Sequence, residues 1–306
     1  VRARENPGDR SRIWAPAPEL ATRPLTPADW SLLQHPDEDR SVSLLAGLVA
    51  PLLAATAAVP MDRARRWPGV PVPRNDMRPF VQAANHVARI LGLPTPELFV
   101  ANDQMAPMRF HWASVKQAVR PVVVIGVPLL GDRRRMADLV PAVALDMVQL
   151  RPERNLRLFV HDPEVLALIM RAVVAVAHDE EPAPEAKVTA SALKRWMPPV
   201  ALDQLVLIGR RLRIDGHDLT RLAAEWLHAA DLTAARAALV MTGDLERTMA
   251  AVEARASDDN AARGATKELI WASITDELWT VRDRLIHAAE APRLPSRVSL
   301  GSRARR

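Results

Sequence analysis

The chain of 306 residues contains no cysteine. That excludes disulfides, thiolate nucleophiles and cysteine-ligated zinc or iron–sulfur centres. Tyrosine is also absent, and aromatic residues make up only 4%. No stretch therefore interleaves aromatics with basic residues as a single-strand nucleic-acid platform would. Eleven glycines are scattered through the chain. None falls in a phosphate-cradling loop, and Gly209 sits in Ile-Gly-Arg-Arg. No serine occupies the G-x-S-x-G turn of an esterase. The eight histidines form no i, i+4 pair. His161-Asp162, His178-Asp179 and His217-Asp218 read as helix boundaries and turns. Lysine is nearly missing too: of 41 Lys and Arg residues, only Lys116, Lys187, Lys194 and Lys267 are lysine.

What remains is a chain that can bury a core, with 49% hydrophobic residues. Alanine and arginine dominate, a bias that GC-rich coding produces, so a single arginine carries little information. The net charge of +5 is concentrated at the ends, in Arg2, Arg4, Arg10 and Arg12 and again in Arg293, Arg297, Arg303, Arg305 and Arg306. Residues 1–25 read as a disordered or loosely packed basic segment, 26–290 as one domain, and 291–306 as a basic disordered tail. The first residues are charged and lack an apolar core, so no signal peptide is expected. Because the first residue is Val, either a GTG start codon or a piece of a longer protein is expected.

Cap and period signals mark the elements. Thr26-Pro27 opens a short helix. Ser41 to Met61 is uncharged and long enough to cross a bilayer, but Ala-rich and broken by Pro51. It reads as two buried helical segments and is the only candidate membrane span. Residues 62–76 read as a Pro-rich loop. Pro79 to Leu91 has one apolar face and ends at Gly92. Strands are predicted at Glu97–Ala101, Met108–Val115 and, between Pro121 and Gly126, Val122–Ile125. Then comes a helix with Met136, Leu139, Val140, Val143, Met147 and Leu150 on one face, containing Pro141, which is harmless if the helix starts near Asp138. Helices follow at 163–177, with Asp162 as cap, and at 191–213, broken at Pro198-Pro199. Between them, 179–187 is an exposed acidic loop. Asp215-Gly216 is a turn. Further helices are predicted at 219–241, stopped by Gly243, at 245–256 and at 267–287. Trp226, Trp271 and Trp279 fall on apolar faces and read as core.

The stretch PVVVIGVPLLGDRRRMADLVPAVALDMVQLRPE, 121–153, organises the rest. Its strand, turn and helix resemble the core of zinc metallopeptidases of the HtpX and CAAX-prenyl-endopeptidase type. In that family the helix carries HExxH; here it reads LDMVQ. Leu145 stands for the first histidine, Asp146 for the glutamate and Gln149 for the second histidine. The order of elements over 77–155 matches as well, including "GLPTPELFV", while of the family's Asn-Ala-Phe element only Phe110 is kept. The family's third ligand lies in an ExxxD-R-A pattern on a later helix. Asp231-Leu-Thr-Ala-Ala235-Arg236-Ala237 has that form, with Asp231 at the ligand and Ala235 at the partner aspartate.

The resemblance implies an α+β, mainly helical, zincin-like fold, with a small sheet at about 97–125 packed on a helical body. It also implies a vestigial site of Leu145, Asp146, Gln149, Asp231 and Ala235. Leucine has no donor atom and a glutamine amide oxygen is a poor zinc ligand, so neither metal nor any other cofactor is expected, and no catalytic residue. Asp146 is expected to pair with an arginine, for instance Arg236, because a buried carboxylate needs a partner. The reading is a non-catalytic pseudo-peptidase, cytoplasmic, that binds a peptide or protein. The resemblance places such modules in larger, tetratricopeptide-repeat-containing bacterial proteins. The alternatives are a metal-free hydrolase using Asp146 and Asp231 and a nucleic-acid-associated protein using its arginines. Neither nucleic acid nor membrane is the expected partner.

Overall fold

The computed structural model describes residues 20–60, 69–101, 108–115, 118–131, 134–214, 216, 218–256 and 258–287. The basic extremities expected at 1–19 and 291–306 lie outside these. Residues 20–25, expected to be loose, are not. Ala21 N donates to the Met241 carbonyl (2.8 Å), Thr22 N to Leu285 O (2.9 Å) and Leu25 N to Ile90 O (2.8 Å), and Ala21 and Leu25 are buried. Their apolar side chains join the core, which the basic composition of the segment as a whole concealed.

The fold is α+β and mainly helical. Helix α1 (Pro27–Leu33) begins at Thr26, whose hydroxyl accepts from Asp29 N while the Asp29 carboxylate accepts from Thr26 N, a reciprocal cap. Helix α2 (Arg40–Ala57) is continuous, not two segments. Pro51 lies inside it and forgoes only the bond to the Gly47 carbonyl. It is the one helix among the described residues long and apolar enough to span a bilayer, and Val42, Leu45, Ala46, Val49 and Ala50 on it are buried inside the protein.

The sheet contains the three predicted strands and two more. Strands β1 (Val59–Pro60), β2 (Val70–Val72), β3 (Glu97–Ala101), β4 (Met108–Val115) and β5 (Ala118–Gly126) lie in the order β1-β4-β5-β3-β2. Strand β2 falls inside the stretch read as a loop; three residues acquire strand identity from antiparallel pairing with β3, which no local pattern shows. Strand β5 starts before Pro121 rather than after it. Pairing of β5 with β3 begins at Val122, so at Pro121 the strand has a ladder neighbour in β4 alone, a position that tolerates a missing N–H. Helix α3 (Pro79–Leu91) ends at Gly92 with φ 66°, as the sequence predicts.

A short helix α4 (Val127–Leu130) leads to α5 (Met136–Met147), which passes into a 3-10 turn at Val148–Leu150. Helix α5 begins at Met136, so Pro141 lies past its first turn, inside the helix. A second 3-10 turn, Asn155–Leu158, precedes α6 (Pro163–His178), capped by Asp162. Helices α7 (Lys187–Trp196) and α8 (Pro199–Ile214) flank the predicted proline break. Then follow α9 (Leu219–Thr242), α10 (Leu245–Glu253), α11 (Asp259–Ser273) and α12 (Asp276–Ile286). The last two replace the single helix predicted at 267–287, because Thr275 starts a new helix. Trp226 is core, whereas Trp271 is 59% exposed. The apolar face on which Trp271 was read continues through Ile270 and Ile274 into solvent.

Two cores form. One unites the sheet with α3, α5, the C-terminal half of α9 and α10 to α12; the other unites α2, α6, α7, α8 and the N-terminal half of α9. Between them lies a buried polar cluster. Glu38 accepts from Arg154 Nη2 (2.9 Å), Thr233 Oγ1 (2.6 Å) and Ser43 Oγ (3.2 Å), and Ser43 Oγ also accepts from Trp226 Nε1 (2.9 Å). The Arg151 and Arg154 guanidiniums stack on Trp30, 4.0 and 5.3 Å from its ring centre. Burying Glu38 and Arg154 is tolerable because each charge is met by hydrogen bonds as well as by the other.

Candidate functional site

The five residues singled out in the sequence come together. Helix α5 supplies Leu145 and Asp146, and its 3-10 continuation supplies Gln149. Helix α9 supplies Asp231 and, one turn on, Ala235. Gln149 Nε2 donates to Asp231 Oδ1 at 3.4 Å. Leu145, Asp231 and Ala235 line a cavity of about 240 Å³ with Leu232, Val252 and Ala265 on its apolar side. Leu145 and Ala235 are buried. Together they give this side of the cavity a methyl-lined wall.

Two arginines that the sequence did not single out close the polar side. Arg157, in the turn before α6, grips Asp231 with both prongs, Nε to Oδ1 at 3.2 Å and Nη2 to Oδ2 at 3.0 Å. Bidentate pairs of this kind are geometrically specific as well as strong. Arg255, just past α10, bonds Asp146 through Nη1. The expected partner Arg236 is elsewhere: it donates to Glu268 (2.6 Å) and to the Gln34 carbonyl (3.4 Å). Five residues after Asp231, it points about 140° round the helix from it. Residues 74 and 109 positions apart in sequence meet in these two pairs. In a chain so rich in arginine, nothing local marks the ones that do.

The carboxyls differ. Burial pushes the Asp146 carboxyl above the usual carboxylate range; Arg255 pulls it back, and the negative charge of Asp231 pushes the same way as burial. The two aspartates thus feel each other across the cleft. His161 is linked to the same group. Arg157 Nη1 donates to its Nδ1, and since a guanidinium cannot accept, that nitrogen is unprotonated and the proton of the neutral ring is on Nε2. Burial and the Arg157 charge both lower its pKa. His228 lies on the rim.

A metal does not fit this donor set. Leu145 offers no lone pair, the Gln149 amide and Arg157 both donate to Asp231, and among the described residues no three His, Asp or Glu side chains converge as ligands would. The cleft offers instead two guanidiniums held by two carboxylates over an apolar floor.

Next to it runs strand β4. Among the described residues, β1 pairs with β4 at Ala113 and Ser114, and β5 pairs with it from Met108 to Val115. Trp112 stacks on Phe159, ring centres 5.4 Å apart, and Phe159 ends the turn that carries Arg157. The strand edge and the cleft are therefore joined through one aromatic pair. Comparison of the chain with family profiles, curated proteins and solved structures finds no match.

Proposed function

We propose that this chain is a degenerate, zincin-like peptidase domain that no longer catalyses and serves as a peptide- or protein-binding module. One observation carries the reading: both carboxylates left at the vestigial site are tied to arginines, Asp146 to Arg255 and Asp231 to Arg157, beside strand β4, which among the described residues meets its outer neighbour β1 at Ala113 and Ser114. A carboxylate held bidentately is neither a free base nor a metal ligand. The outer side of β4, next to the short pairing with β1, is where an extended peptide would join by strand addition. The module is cytoplasmic in this reading and part of a larger protein, and α2 serves as core rather than as a membrane span. The many arginines speak less for nucleic acid: Arg78, Arg151, Arg154, Arg157, Arg213, Arg236, Arg247, Arg255 and Arg284 are each committed to a carboxylate.

The second reading, a metal-free hydrolase, draws on the raised Asp146 carboxyl facing Asp231. A metal assay tests against a zinc enzyme, and peptide binding without cleavage separates the module from the metal-free hydrolase. The purified chain is expected to contain no stoichiometric zinc and to melt at the same temperature with and without chelator. Peptides selected for binding to the full chain should protect the amides of Met108–Trp112 from hydrogen exchange and be recovered uncut. One zinc per chain, or turnover abolished by Asp146→Asn, would put an enzyme in place of the binding module.

A further inference from the structure

Helix α8, PVALDQLVLIGRRLRI, is fixed in rotation by one face. Leu205, Ile208 and Leu212 are buried in the second core, and Gly209 brings the helix against α6. A Cβ at Gly209 would lie 2.6 Å from Ala177 Cβ and 2.7 Å from the Val173 carbonyl oxygen, so no other residue permits this approach. The opposite face is set toward solvent and is not what a solvent face should be. Val200 (72% exposed), Leu207 (64%) and Ile214 (82%) recur at intervals of seven, in one stripe. Beside Leu207, helix α2 adds the exposed Leu44, and a groove of about 500 Å³ runs between the helices over Leu44, Leu48, Pro152 and Ile208. Apolar stripes of this kind mark contact surfaces.

The polar residues within the stripe say what it contacts. One turn before Leu207 lie Asp203 and Gln204; one turn after it lie Arg210 and Arg211, all four exposed. The order is Val, Asp-Gln, Leu, Arg-Arg, Ile. Turned end for end about Leu207, this face is its own complement. Val200 falls opposite Ile214, the acidic turn opposite the basic turn, and Leu207 opposite itself. A twofold interface demands this property, since residue i must meet j while j meets i. A partner of any other kind has no need of it.

We propose that two copies of this chain associate through antiparallel packing of α8 about a twofold axis at Leu207, with the α2–α8 groove receiving side chains of the partner's α8. Charge orients the pair: the parallel arrangement sets Asp203 against Asp203 and the two arginine turns against each other, while the antiparallel one pairs them.

Sedimentation of the full chain over a concentration series tests this. The expected mass at high concentration is twice the 33.7 kDa of the single chain. Leu207→Glu should leave it at the single mass with unchanged circular dichroism. Asp203→Arg should weaken association by about tenfold or more. Adding Arg210→Asp to that variant should restore it, which a general loss of stability could not do. Because the chain has no cysteine, a single one reports geometry cleanly. Leu207→Cys should oxidise to a covalent dimer, and Val188→Cys, 80% exposed on α7, should not. A chain that keeps the single mass throughout the series overturns the proposal, whether or not it binds vesicles or other proteins. So does a dimer that survives Leu207→Glu.

Discussion

At Leu145 the molecule has an isobutyl group buried at the wall of a cavity of about 240 Å³. Truncation there enlarges an existing space, and the surrounding helices α5 and α9 cannot close on it. Leu145→Ala is expected to lower stability by roughly 2–5 kcal/mol, measured by urea or thermal unfolding. Asp146→Asn is expected to act differently. Both members of the Asp146–Arg255 pair are partly exposed, so the direct loss is about 1 kcal/mol or less at neutral pH. The pH profile is the sharper test. Because the folded carboxyl titrates above its unfolded value of 3.8, the folded state holds its proton more tightly. Its contribution is fully present below pH 3.8 and is lost as pH rises through the folded pKa. The stability of the wild type relative to Asp146→Asn should therefore fall with rising pH over that window and then level off. A flat difference would mean that Asp146 is not perturbed. The two aspartates were singled out by their sequence pattern; Arg157 and Arg255 were not, since their roles come from the fold that carries them there.

Elements with their own punctuation were readable, and those defined by a neighbour were not. Thr26-Pro27, Asp162-Pro163, Gly92 and Gly243 carry cap chemistry that acts within a few residues, and the helices they bound are where the sequence puts them. Strands β1 and β2, the unbroken α2 and the passage of β5 through Pro121 depend on partners far along the chain. The two glycine stops make a paired prediction. Gly92 and Gly243 have φ 66° and 63°, but nothing lies within 4 Å of a Cβ at Gly92, whereas one at Gly243 would lie 2.5 Å from the Arg282 guanidinium. That guanidinium is buried, and its Nη1 donates to the Val240 carbonyl at 2.8 Å and the Met241 carbonyl at 3.3 Å, satisfying the end of α9. Gly92→Ala should cost about 1 kcal/mol, the strain of a left-handed alanine. Gly243→Ala should cost that plus the displacement of Arg282, roughly 2–4 kcal/mol in all. Equal losses in denaturant titrations would show that Arg282 does not hold the α9 terminus.

At the scale of the whole molecule, the two cores share α9 and meet at the Glu38 cluster. Glu38 lies in the loop before α2, Arg154 between the 3-10 turns and Thr233 in the middle of α9. Removing Glu38 leaves the buried Arg154 with Glu153 as its one carboxylate among the described residues, through Nη1 at 2.9 Å, and strips Thr233 and Ser43 of their acceptor. Glu38→Ala is expected to lower stability by roughly 3–5 kcal/mol. It should also part the single unfolding transition into two, the cluster being the polar contact between the cores. Differential scanning calorimetry that showed one undivided peak at lower temperature would assign the cluster to one core alone. Nothing in the sequence announced this cluster: Glu38 stands in a run of ordinary acidic residues, and its burial is a property of the assembled layers.

The backbone bonds of Ala21 and Thr22 to Met241 and Leu285 have a mechanical meaning. They fasten the beginning of the described residues to the end of α9 and to α12, so the first and last described segments lie side by side. The Thr22 part of that seam can form only once α12 has been synthesised. A force pulling these two segments apart would load the hydrogen bonds together with the buried side chains of Ala21 and Leu25. Inserted into another protein at a surface turn, the domain would need little room between its points of attachment.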